Sequence, residues 1–165
     1  MSLIVVDEPP DRPEWLKETL RLTASALERG RSRVLARVAR TSDADLVKGD
    51  DANWGVGQIA VHVLTVERGV VGIALRLARG QTPGVTGQPR PAAASVTRDD
   101  IASRATKAAE RVTQLLAEFP SAPDLATTGR HPYYGDLNRF GWLLTLSNHY
   151  TAHLDALDRG TTSHL

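Results

Sequence analysis

A chain of 165 residues in which 20 Lys+Arg stand against 19 Asp+Glu carries a formal net charge of +1 at pH 7. That balance argues against a dedicated nucleic-acid binder and against a polybasic membrane binder. The chain has no cysteine, so disulfides, iron–sulfur clusters and a cysteine nucleophile are excluded, and any metal site must use His, Asp or Glu.

The length predicts one domain over residues 1–165, with an N-terminal arm at 1–10 and a tail at 160–165. The arm holds an apolar run of only four residues, Leu3 to Val6, with no basic region before it. It reads as neither a signal peptide nor a membrane span, so the expectation is a soluble cytoplasmic protein. Seventeen of the cations are Arg, spread from Arg12 to Arg159, a pattern that reads as coding bias rather than a phosphate-binding patch.

Four segments carry helical periodicity, and no other convincing strand signal appears beyond Leu3 to Val6. The first helix opens at Asp11-Arg12-Pro13, with Asp11 as cap, and runs to about Arg40 on a stripe of Leu16, Leu20, Leu27, Val34 and Val38. The acidic stretch from Ser42 to Asp51 that follows lacks calcium-loop spacing and reads as a solvated loop. The second helix spans about Gly55 to Arg79 on Ile59, Val63, Val66, Val70, Ile73 and Leu77. Thr97 and Asp100 form a capping-box variant opening the third, whose stripe is Ile101, Ala105, Ala108, Val112, Leu115 and Phe119 before Pro120 stops it. The fourth opens near Asp136 and ends before Gly160, with Phe140, Leu143, Leu144, Leu146, Tyr150, Leu154 and Leu157 as apolar members.

Four such helices make an all-α four-helix bundle the economical architecture. The Pro/Gly-rich stretch 80–96 between helices two and three is long enough to return along the bundle. Helices two and three can then run parallel, giving an up-down-down-up topology; the alternative is a simple up-down-up-down bundle, which would separate His62 from His149 and His153.

Histidine is the residue type that carries chemistry here. His149 and His153 stand at i and i+4, so both imidazoles leave one face of helix four, one turn apart. His62 sits among apolar neighbours on helix two, ~10 Å from its start, while the midpoint of His149 and His153 lies ~12 Å from the end of helix four. If helices two and four are antiparallel, as up-down-down-up requires, all three histidines fall at one level. Three neutral imidazoles suit a divalent transition metal and leave a position for water or substrate. The competing readings are edge packing for His149 and His153, and a hydrogen-bonded core histidine for His62.

Two stretches resemble the DinB-like superfamily. Trp54-Gly-Val-Gly-Gln-Ile-Ala-Val-His62 is similar to the start of its second helix, and Thr145-Leu-Ser-Asn-His149-Tyr-Thr-Ala-His153-Leu-Asp-Ala-Leu157 to its fourth. The loop His131-Pro-Tyr-Tyr-Gly135 resembles the segment many members carry before that helix. The resemblance implies an up-down-down-up bundle that binds zinc or nickel through His62, His149 and His153, commonly as a homodimer. It also implies relatives among the bacillithiol- or mycothiol-dependent S-transferases and the metal-binding domain of mycothiol-dependent maleylpyruvate isomerase. The expected activity is a metal-dependent thiol S-transferase or hydrolase acting on a small-molecule substrate, with a low-molecular-weight thiol cosubstrate and no nucleic-acid or membrane partner. The alternatives are a noncatalytic metal- or small-molecule-binding stress-response protein, and a bundle whose histidines bind nothing.

Around this centre, His131 is a candidate proton shuttle or fourth ligand and Tyr150 a candidate hydrogen-bond partner of substrate, against turn packing for the first and bundle-edge packing for the second. Tyr133 and Tyr134 also read as edge packing, Trp54 as a cap over the bundle end, and Asn148 as either ligand support or a solvent-facing amide. Glu67, about 140° round the helix from His62, reads as a surface charge. Asp155 and Asp158 belong to a solvated face, and His164 to the tail.

Overall fold

The structure is a computed structural model that describes residues 9–84 and 89–159. The Leu3-to-Val6 run, residues 85–88 of the crossover and the tail with His164 lie outside the described residues. Four long helices form the bundle: α1 (Glu14–Ala39), α3 (Val56–Ala78), α4 (Arg98–Glu118) and α5 (Arg139–Arg159). Between α1 and α3 lies a short α2 (Asp43–Leu46), and between α4 and α5 a two-stranded antiparallel hairpin of β1 (Gly129–His131) and β2 (Gly135–Leu137).

Cross-helix contacts fix the directions. Arg98 at the start of α4 donates to Val38 O and Thr41 O at the end of α1, whereas Arg12 donates to Leu116 O and Phe119 O at the end of α4. Helices α1 and α4 are therefore antiparallel. Thr65 meets Arg104 and Arg79 meets Glu118, so α3 and α4 run parallel. Asp124 bridges the end of α3 to the start of α5, its N–H on Ala78 O and its carbonyl accepting from Arg139, so α3 and α5 are antiparallel. The order is up-down-down-up. The crossover makes it possible by returning along the bundle: Pro91 O accepts from Gln58 Nε2 near the start of α3, and the 3-10 turn Ala93–Ser95 leads into α4.

The apolar stripes bury as their periodicity requires. All five α1 positions and all six of the α4 stripe are buried. Helix α3 is buried on nearly every side, adding Val61, Leu64, Val71 and Leu75 to its predicted stripe, with Val66 half-buried. It is the one described helix long and apolar enough to cross a membrane, and 72% of that stretch is buried inside the bundle. Each fully buried Leu contributes about 1.5–3 kcal/mol relative to an exposed one.

Several local expectations need correction. Asp11 does not cap α1; its carboxylate accepts from Ser121, and the N-cap is Pro13 with no side-chain cap. Ser42 to Leu46 is a helical turn rather than a loop, capped by Ser42 and anchored by buried Leu46. Helix α5 starts at Arg139, not Asp136, because Asp136 pairs with Arg130 in the hairpin and Asn138 caps the helix by accepting from Phe140 and Gly141 N–H. Leu144 is 68% exposed, since it points about 100° away from buried Leu143. The Thr97 cap of α4 forms as predicted, accepting from Asp100 N–H at 3.1 Å.

Gly30 on α1 lets the Tyr150 ring lie against its backbone; a Cβ there would stand 2.7 Å from Tyr150 Cγ. Gly30→Ala is expected to destabilise by about 1–3 kcal/mol, because overpacking displaces a buried ring. That exceeds the roughly 1 kcal/mol gain in helix propensity. A urea denaturation midpoint at or above wild type would contradict this packing.

Candidate metal centre

The antiparallel pairing of α3 and α5 brings three predicted histidines together. His62 leaves the second turn of α3, and His149 and His153 leave one face of α5. His149 Nε2 lies 3.0 Å from His62 Nε2 and 3.2 Å from His153 Nε2. One ring nitrogen from each residue lies within 4.8 Å of the other two, a group that could hold a metal ion.

The tautomer of His62 follows from its partner. Its Nδ1 lies 2.8 Å from Pro89 O in the crossover, and a carbonyl only accepts. Nδ1 therefore carries the proton, and the Nε2 lone pair faces the other two rings. This is the arrangement in which a backbone carbonyl orients a ligating imidazole. His149 Nδ1 is buried without a hydrogen-bond partner. Neutral rings can place only one hydrogen between the His62 and His149 Nε2 atoms, whereas a cation where the three nitrogens converge would take a lone pair from each. The donor set fits a divalent transition metal.

Burial keeps His62 and His149 neutral. Burial first, then the neighbouring His153, His62 and His131, lowers the His149 pKa to about 3. Burial also lowers that of His62, against the opposing pull of the Pro89 carbonyl. An unfolded histidine takes up a proton near its ordinary value of about 6.5. Between that pH and about 3 the unfolded chain therefore binds more protons at His149 than the folded one. Stability of chelator-treated protein should thus fall as pH drops from 6.5 toward 3. A melting temperature flat over that window would contradict buried neutral imidazoles.

Trp54 is 8% exposed and packs on the cluster itself, its ring 4.8 Å from that of His62 and 6.4 Å from that of His153, nearly parallel to the latter. It is a wall of the site as well as a cap. His131 is not part of the cluster. Its ring packs 4.8 Å from both Tyr134 and Trp142, and its Nδ1 accepts from Tyr133 and Tyr134 N–H. Tyr133 and Tyr134 are 62% and 59% exposed rather than packed at an edge, and Asn148 faces solvent.

Glu67 corrects the surface reading: it is fully buried, held by Arg31 from α1 and by the Tyr150 hydroxyl from α5. Burial pushes its carboxyl up, while Arg31 and Tyr150 pull it down. The Tyr150 hydroxyl is thereby occupied inside the core, and burial beside the Glu67 carboxylate raises its pKa. Two participants had weak signals or none. Pro89 acts through a backbone carbonyl, which no side-chain pattern reveals, and Arg31 lies one turn beyond the apolar Leu27 on its helix.

The comparisons bear on the fold and the family. TT2238, a four-helix bundle protein with a crystal structure, superposes with a TM-score of 0.65 at 23% identity, covering 85% of this chain and 98% of that one. That likeness establishes the fold. No curated protein matches the chain. The family model for the DinB superfamily matches residues 26–157, a span that holds the three clustered histidines and reaches into all four bundle helices, and the chain belongs to that superfamily.

Proposed function

We propose that His62, His149 and His153 bind zinc or nickel through Nε2 and that the protein is a metal-dependent thiol S-transferase or hydrolase. The observation that carries this reading is the convergence of three Nε2 atoms, one with its lone pair directed inward by the Pro89 carbonyl. A divalent ion held by three neutral imidazoles would keep its full charge and act as a Lewis acid toward a thiol, water or carbonyl oxygen. No carboxylate joins the histidine cluster among the described residues, so nothing there offsets that charge. This favours an anionic thiolate over a neutral nucleophile.

The chain's own residues would supply orientation and exclusion of water. The His62–Pro89 hydrogen bond holds one imidazole in its tautomer, and the Trp54 ring shields the His62 and His153 side of the cluster. His131 and the exposed Tyr133 and Tyr134, carried on the hairpin before α5, offer polar contacts to a small-molecule substrate.

The same absence of a carboxylate among the described residues supports a second reading, a noncatalytic metal binder. Assay of metal-loaded protein with a panel of low-molecular-weight thiols and activated esters separates the two. The enzyme reading predicts turnover that falls at least 100-fold in His149→Ala. Metal binding with no turnover on either panel would favour the binder.

A further inference from the structure

The parallel packing of α3 and α4 leaves a groove on the face of the bundle where these two helices meet. It comprises two adjoining cavities of about 350 and 370 Å³ that share Gly69, Gly72 and Arg111. Six of the chain's 20 basic side chains line it (Arg68, Arg76, Arg79, Arg104, Lys107 and Arg111) against a single acid, Asp100, of 19. In sequence these cations look evenly scattered. Folding gathers them, because α3 and α4 point the same way and their basic positions run side by side.

The guanidinium groups are held in place rather than neutralised. Arg111 donates to Gln114 Oε1, Arg76 to Thr82 O, and Arg104 to Thr65 Oγ1 as well as to Asp100. Two of the six are ion-paired, Arg79 with Glu118 and Arg104 with Asp100, each at 2.7 Å. Arg68 and Lys107 make no hydrogen bond or ion pair among the described residues. Gly69 and Gly72 keep the floor open: a Cβ at Gly69 would meet nothing within 4 Å. Four cations without an acidic partner among the described residues, Arg68, Arg76, Lys107 and Arg111, thus face one groove, which spans ~16 Å along α3 from Arg68 to Arg79. Two copies of this face placed together would repel, which argues against a symmetric dimer through it.

We propose that the α3–α4 groove binds a small molecule carrying two or more phosphate or carboxylate groups. Arg recognises both groups through paired N–H donors, and the length of the groove suits spaced charges better than a single ion. The site is distinct from the histidine cluster, none of whose residues lines it.

The test is calorimetric titration of the full chain with tripolyphosphate and, separately, citrate at 150 mM NaCl. Saturable binding of at least one is expected, and which one binds identifies the acid group. The double substitution Arg68→Ala with Lys107→Ala should weaken binding at least tenfold. Removing the same charge from the exposed face of α1, by Arg29→Ala with Arg33→Ala, should change it less than twofold. His149→Ala should leave it intact. No saturable binding of either probe would overturn the proposal. So would equal losses in the two double variants, or loss in His149→Ala, which would place the anion at the histidines.

Discussion

Glu67→Ala is expected to destabilise the protein by about 3–5 kcal/mol, the cost of leaving a buried charge without its partner. Arg31 would be that charge: its side chain is 9% exposed, its partner Glu67 is fully buried, and α1, α3 and α5 meet at this point. At about 2–4 °C per kcal/mol for a chain of this size, the melting temperature should fall by roughly 6–20 °C. Replacing both ends together, Arg31→Met with Glu67→Leu, should cost far less, because the desolvation penalty of both ions disappears with them. Chemical denaturation of the single and double variants measures the difference. Equal losses would mean that the pair's charge is not what matters there.

The second large effect is ligand-linked. An ion that binds the folded protein alone stabilises it by about 2.7 kcal/mol at 100 times its dissociation constant. Chelator-treated protein should therefore melt several degrees higher when zinc or nickel is restored. His149→Ala and His62→Ala should each abolish that increment while keeping a helical spectrum, since both side chains face the cluster rather than the Arg31–Glu67–Tyr150 core. An increment that persists in either variant would locate the stabilising metal elsewhere.

The legible part of this molecule was whatever periodicity controls. The stripe from Ile101 to Phe119 buries as spaced, and crossover length together with histidine depth puts His62 level with His149 and His153 in an up-down-down-up bundle, where the cluster forms. Glu67 reads as a surface charge because its helical angle from His62 points away from that one buried position. The polar face of α3 lies at Arg68 and Arg76, whereas the neighbours of Glu67 one turn away, Val63, Leu64, Val70 and Val71, are all apolar and buried, and that is the signal. The hairpin escaped notice because strands of three residues are too short to show alternation. The groove cations were visible singly, but their meeting depends on α3 and α4 being parallel neighbours.

The most direct test of the three-histidine centre is the metal content of protein purified without a histidine tag, measured by mass spectrometry after growth with zinc and nickel. The expected result is about one equivalent of a divalent transition metal per chain, lost in folded His149→Ala. Folded wild-type protein that retains no metal after such supplementation would contradict the assignment of His62, His149 and His153 as a metal centre.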